Sequence, residues 1–189
     1  MRQRIRAARR DMSPAARAAA DRAISRHILS LPEFRSAQRI ALFLAFDGEP
    51  SMQTVIAGAA ARGKRVYAPV LTSGLMHFAE LDTVAALTTN FFGILEPRVG
   101  SRIDARRLDL VLTPLVAFDD RGVRVGVGRG YYDRCFRFLL NRDHWRHPKL
   151  VGVAYELQRA PNLVRQSWDV PLAGAVTETG IRRFGDVRP

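Results

Sequence analysis

Between Arg124 and Asp133 the chain reads Arg124-Val125-Gly126-Val127-Gly128-Arg129-Gly130-Tyr131-Tyr132-Asp133. Three glycines at alternate positions permit positive φ and place no Cβ in the way of a ligand, so backbone N–H groups can converge on an anion. Arg124 and Arg129 bring guanidinium groups to the same segment, and Tyr131 opens a helical stretch whose first N–H groups favour phosphate. Asp133 carries the opposite sign. It would repel phosphate unless a divalent cation stood between them, and magnesium, which combines one or two carboxylates with phosphate oxygens and water, is the expected bridge. This chemistry suits binding of a nucleoside triphosphate. A bare glycine pattern more often makes a hairpin, with Asp133 favouring only the first helical turn; the two arginines and Asp133 weigh against that here. The spacing is neither a Walker nor a dinucleotide fingerprint.

The segment needs a scaffold, and the sequence supplies one. Arg2 to Leu31 reads as helix interrupted near Ser13-Pro14, where serine can cap and proline can open a second segment. Ala16, Ala19, Ala20, Ala23, Ile24 and Ile28 mark its apolar face. Arg39 to Phe46 is an apolar run ended by Asp47-Gly48. Met52, Val55, Ile56, Ala59 and Ala60 recur at helical spacing, and Lys64 to Val70 returns as strand, completing a β-α-β unit. Leu75 to Leu81 alternates weakly, and Asn90 to Arg98 reads as a loop. Leu108 to Phe118 is a strongly apolar strand, Asp119 to Gly122 is turn chemistry, and a helix is expected from about Tyr131 to Leu140. Leu150 to Tyr155 and Ala173 to Thr177 are the last strands. This alternation predicts one α/β domain over residues 1–189: a three-layer α/β/α open, mostly parallel sheet with an N-terminal helical segment. Ligands of such sheets bind at the carboxyl ends of the strands.

Composition narrows the class. A chain of 189 residues with 47% hydrophobic residues can bury one continuous core. The formal net charge is +12. Only Lys64 and Lys149 are lysines, and arginine's planar fork suits phosphate and carboxylate. Cys135 is the sole cysteine, so no intramolecular disulfide can form and the reducing cytoplasm is the expected compartment. The stretch from Asp11 to Arg26 is too charged for an export signal, and no apolar run approaches the ~20 residues of a membrane helix.

The wording of several segments is more specific than their composition. Pro114-Leu115-Val116-Ala117-Phe118-Asp119, Gly122 to Gly126 and Gly128 to Arg134 stand with Phe43 to Glu49, Gly63 to Val70 and Gly93 to Pro97. Val151 to Tyr155 with Gln158, and Trp168-Asp169-Val170-Pro171-Leu172, extend the likeness nearly end to end. Together they resemble the 5-formyltetrahydrofolate cyclo-ligase, or methenyltetrahydrofolate synthetase, family. The resemblance implies closure of 5-formyltetrahydrofolate to 5,10-methenyltetrahydrofolate with ATP and Mg2+, releasing ADP and phosphate. In the family the γ-phosphoryl group is thought to pass to the formamide oxygen, after which N10 attacks the activated carbon.

By position, the resemblance assigns the phosphates to Arg124, Gly126, Val127, Gly128, Arg129, Gly130, Tyr131, Tyr132 and Asp133. Arg124, Arg129 and Tyr131 are the implied catalytic set, and Asp133 and Asp169 the implied magnesium ligands. Arg2 matches an arginine that contacts ATP. The family usually carries a lysine four residues before it, for which Arg4 or Arg6 would stand in. Leu44, Glu49 and Tyr131 fall where the family binds the folate. Two stretches depart from the pattern: Pro50-Ser51-Met52 follows Glu49, where a branched apolar residue, an acidic residue and threonine are usual, and Val125 and Val127 replace bulkier apolar residues. A monomer acting on a small-molecule folate is expected. The competing readings are a diverged relative that binds ATP or folate without turnover, and a nucleic-acid-binding protein using the basic arm of Arg2, Arg4, Arg6, Arg9 and Arg10.

Overall fold

The computed structural model describes residues 1–72, 74–81, 87–98, 100–141 and 147–185. The chain opens with helices α1 (Arg2–Arg10), α2 (Pro14–Ser30) and α3 (Pro32–Ser36). Ser13 caps α2 as expected: its Oγ accepts from Ala16 N at 3.2 Å, and Pro14 takes the first helical position. There follow β1 (Arg39–Ala41), α4 (Gln53–Ala60) and β2 (Arg65–Thr72), the expected β-α-β unit. Next come β3 (Leu75–Glu80), β4 (Leu87–Thr89), β5 (Leu95–Pro97) and β6 (Arg102–Ile103). The chain continues through β7 (Leu110–Pro114), β8 (Ala117–Phe118), β9 (Arg124–Val125) and α5 (Tyr131–Phe136). It ends with β10 (Lys149–Val153), β11 (Gly174–Thr177) and β12 (Gly180–Arg183).

Eight strands form one sheet in the order β12-β11-β10-β7-β1-β2-β3-β6. The five inner strands from β11 to β2 run parallel, and β12, β3 and β6 add antiparallel edges. Both faces of the inner strands are buried, which follows from their alternation. Ile40, Leu42, Leu110, Leu112, Val151, Val153 and Val176 face the layer containing α2, α3 and α4. Ala41, Val111, Leu150 and Ala175 face the layer of α5 and the segment around Val170 and Leu172. The chain leaves β1 toward β2 on one side and later returns to β7 on the other. Their carboxyl ends therefore flank a crevice at the topological switch point.

Several boundaries differ from the sequence reading. The helix after the glycines stops at Phe136 and tightens into a 3-10 turn over Arg137–Asn141. The Asn90 to Arg98 loop contains β5, paired with β4 in a hairpin. The run from Leu108 to Phe118 is two strands, because Leu115 and Val116 turn away from the sheet after Pro114 and β8 pairs with β9 instead. Ala16 and Ala19 lie on the exposed side of α2, and its buried face begins at Ala20.

Candidate active site at the carboxyl ends of β1 and β7

β7 delivers the chain to the β8-β9 hairpin, whose turn is held by Asp119. This carboxylate is almost fully buried: Oδ1 accepts from Arg121 N and Val123 N at 3.0 Å each, and Oδ2 from Arg121 Nη2 at 2.7 Å and Leu163 N at 3.2 Å. Gly122 supplies the positive φ (79°) that the turn requires. The glycine segment starts from this fixed base. Gly126, Val127, Gly128 and Arg129 are exposed, and a Cβ at Gly126 or Gly128 would meet no neighbouring atom within 4 Å. The loop is thus open to a ligand. Gly128 and Gly130 hold φ of 97° and 62°, which turn the backbone into α5.

Arg124 and Asp133 face each other across the base of this loop. Arg124 Nη2 donates to Asp133 Oδ1 at 2.6 Å, Nη1 donates to Val170 O, and Val170 N donates to Asp133 Oδ1 at 3.2 Å. The Arg124 side chain is only 6% exposed. It braces the strand before the loop against the helix after it, while Arg129 is the cation on the open side, its guanidinium 4.0 Å above the Phe92 ring. Asp133 Oδ2 accepts no hydrogen bond among the described residues, and no three His, Cys, Asp or Glu side chains come together there to form a protein metal cage. Asp169 uses Oδ2 to accept from Gln166 N at 2.8 Å, the geometry of a turn.

After β1 the chain runs through half-buried Leu44 to Asp47 and Gly48, both with positive φ (52° and 76°). The reversal returns Glu49 toward the crevice, where its Oε2 accepts from Phe46 N at 3.1 Å and Oε1 lies 3.9 Å from Arg9 Nη1. Its side chain is 13% exposed, and burial outweighs Arg9 to push its pKa up to about 7. Tyr132, in the first turn of α5, has its phenol pushed well above the ordinary range, first by burial and then by the Glu49 charge. Glu49 and the start of the glycine helix therefore share one electrostatic environment.

Helix α1 closes this end of the sheet. Asp47 accepts from Arg6 Nε at 2.7 Å, Arg9 Nη2 at 3.1 Å and Arg10 Nη1 at 3.1 Å, while Arg2 Nε donates to Gly126 O at 3.1 Å. Arg9 is 1% exposed and also donates to Leu115 O. Arg17 Nη1 donates to Gly48 O at 2.6 Å. The Arg2 expectation thus meets the glycine loop directly, whereas Arg6 lies on Asp47. Asp47 is not among the expected site residues, and Arg9 is expected only in the basic arm; the Asp-Gly turn and the arginine run are visible in the sequence, but their pairing spans 38 residues. The Pro50-Ser51-Met52 departure points into the scaffold: Met52 is buried in the core beneath α4.

On the far side, Tyr131 lines a groove of about 260 Å³ with Leu71, Thr72, Gly74, Asn90, Phe91 and Phe92. The Phe46 ring abuts Gly93 at its rim. Phe91 and Phe92 are further residues that sequence reading left in a featureless loop; two adjacent aromatics before a glycine were the available signal.

Residues 1–178 match the profile of the 5-formyltetrahydrofolate cyclo-ligase family. The chain is 36% identical over 179 residues to the 5-formyltetrahydrofolate cyclo-ligase of Haemophilus influenzae, covering 91% of this chain and 92% of that protein. It is 35% identical over 184 residues to the enzyme of the same name from Escherichia coli K12, covering 94% and 98%. The fold is similar to that of the 5,10-methenyltetrahydrofolate synthetase of Aquifex aeolicus, with a TM-score of 0.81, 32% identity and coverage of 100% and 93%. With the sheet order, the glycine loop and the Asp47-Gly48-Glu49 reversal in place, the chain belongs to the 5-formyltetrahydrofolate cyclo-ligase family.

Proposed function

We propose that this protein is an ATP- and magnesium-dependent ligase that closes 5-formyltetrahydrofolate to 5,10-methenyltetrahydrofolate, releasing ADP and phosphate. The observation that carries the reading is the convergence, at the carboxyl ends of β1 and β7, of an open glycine loop and the largely buried Glu49 carboxylate beside Arg9. Family membership gives that convergence its substrates.

When bound, ATP supplies the γ-phosphoryl group that makes the formyl oxygen a leaving group so that N10 can close the ring, with magnesium neutralising phosphate charge. The chain's own contribution is positioning. Backbone N–H groups from Gly126 to Tyr132 would surround the phosphates, with Arg2 anchoring the loop through Gly126 and Arg129 offering a solvent-facing cation. Asp133 fits a magnesium ion held mainly by phosphate and water: Oδ1 is fixed by Arg124 and Val170, which leaves Oδ2 for the ion. Asp169 would act at most from its turn, through water. Glu49 would accept hydrogen bonds from N–H donors of the folate, and such donors favour its ionised form. Leu44, Tyr131 and the aromatic groove would cover the apolar body of the substrate.

The nucleic-acid reading is the less favoured one, because four of its five arm arginines, Arg2, Arg6, Arg9 and Arg10, donate hydrogen bonds within the protein. Among the described residues no helix is long and apolar enough to cross a membrane. Action as a cytoplasmic, single-domain monomer belongs to the same proposal. An absorbance assay for methenyltetrahydrofolate tests it: product should form only when ATP and magnesium are both present. Binding of ATP and folate without product would favour the diverged, non-catalytic relative.

A further inference from the structure

The turn that carries Phe91 and Phe92 is tied down by two polar side chains. Asn90 Oδ1 accepts from Phe92 N at 2.9 Å and Ile94 N at 3.1 Å, closing the turn from inside. Asn90 Nδ2 then donates to Glu96 Oε2 at 3.0 Å, and the same oxygen accepts from Leu71 N at 3.1 Å, on β2. Glu96 is 8% exposed, so this carboxylate is withdrawn from water to make those contacts. A buried carboxylate without hydrogen bonds would be costly, and here its donors belong to the turn and to the carboxyl end of β2. The consequence is geometric. Phe92 is held where its ring faces Arg129 of the glycine loop, and Gly93 lies beside the ring of Phe46, which a Cβ at Gly93 would meet at 3.5 Å, three residues before Glu49. One hairpin tip thus touches both halves of the site.

We infer that Glu96, through Asn90, is a positioning residue that clamps the 90–93 turn as the wall of the folate side of the site, setting substrate affinity without contacting substrate. This rests on the cyclo-ligase reading. On the nucleotide side only Arg129 meets the clamped turn, through the Phe92 ring, while Arg124, Asp133 and Arg2 have braces of their own, so cutting the clamp should affect the folate more than ATP.

The test compares Glu96→Ala with Glu96→Gln in steady-state methenyltetrahydrofolate formation, varying each substrate in turn, together with hydrogen exchange at the Phe92 and Ile94 amides. Glutamine keeps a carbonyl oxygen that can accept from Leu71 N and Asn90 Nδ2, so Glu96→Gln should stay within about twofold of wild type. Glu96→Ala should raise KM for 5-formyltetrahydrofolate by roughly tenfold, raise KM for ATP by no more than about threefold through Arg129, and speed exchange at both amides. An unchanged folate KM, an equal rise in both KM values, or a Glu96→Gln variant as impaired as Glu96→Ala would overturn the clamp. A wild-type protein that forms no product would instead remove the reading on which the clamp's substrate role stands, whatever the exchange data show.

Discussion

At the scale of single residues, charge and burial act against each other at two carboxylates. Glu49 is costly to ionise where it sits: its pKa of about 7 against an ordinary 4.5 means that the folded protein holds the proton more tightly than the unfolded chain. Between those two values stability contributed by this group is therefore lost as pH rises, by about 3 kcal/mol in full. Urea unfolding from pH 4.5 to 8 should show Glu49→Gln gaining on wild type as pH increases, while its KM for folate rises; an unchanged difference across that range would contradict the buried placement. Asp133 is bound rather than isolated. Asp133→Asn keeps an oxygen for Arg124 and Val170 but loses the charge, so it should retain most of its stability and lose at least about tenfold in kcat. Asp133→Ala should also cost about 1–3 kcal/mol, because the nearly buried Arg124 loses its partner. Near-normal turnover in the asparagine variant would count against the magnesium role.

At the scale of elements, the glycine loop and α1 make separable predictions. Gly128 has φ of 97° and open space where a Cβ would go, so Gly128→Ala acts through backbone strain alone. It should weaken ATP binding and lower Tm by a few degrees, because alanine at this φ costs about 1–3 kcal/mol. Helix α1 is docked by Asp47, whose carboxyl burial would raise but Arg6, Arg10 and Arg9 together hold below the usual range. Its contribution is fully present above the unfolded pKa of 3.8 and is lost as pH falls through the lower folded value. Asp47→Asn should loosen α1, seen as faster hydrogen exchange in residues 2–10, and should raise KM for ATP through the lost Arg2 anchor. Much of this was legible in the chain. Ser13-Pro14 announced α2, and the run Arg39 to Val70 announced β1, α4 and β2, because local patterns fix such elements. The short α5 was not, since Tyr131 to Leu140 keeps an apolar pattern that a 3-10 turn can also satisfy. Nor was the clamp under Phe92 legible, because Asn90 and Glu96 acquire their meaning only when β5 lies beside β2.

At the scale of the whole molecule, the sheet order places the site. Parallel strands needed crossovers, the crossovers put β1 and β7 side by side, and the loops leaving their carboxyl ends are the ones that bear Glu49 and the glycines. Within the net charge of +12, Arg6, Arg9 and Arg10 of the N-terminal run are tied to Asp47 and Arg2 to Gly126, while Arg2, Arg4 and Arg10 stay exposed to solvent. Binding of a nucleotide in a built loop should therefore vary little with salt, whereas binding to a nucleic-acid backbone should collapse as salt rises. Calorimetric titration of the protein with ATP and magnesium at low and physiological salt puts this most directly. One saturable site per chain, nearly indifferent to salt and weakened in Gly128→Ala, is the expected result; no binding heat at either salt, or binding unchanged in the variant, would contradict a nucleotide site in the glycine loop.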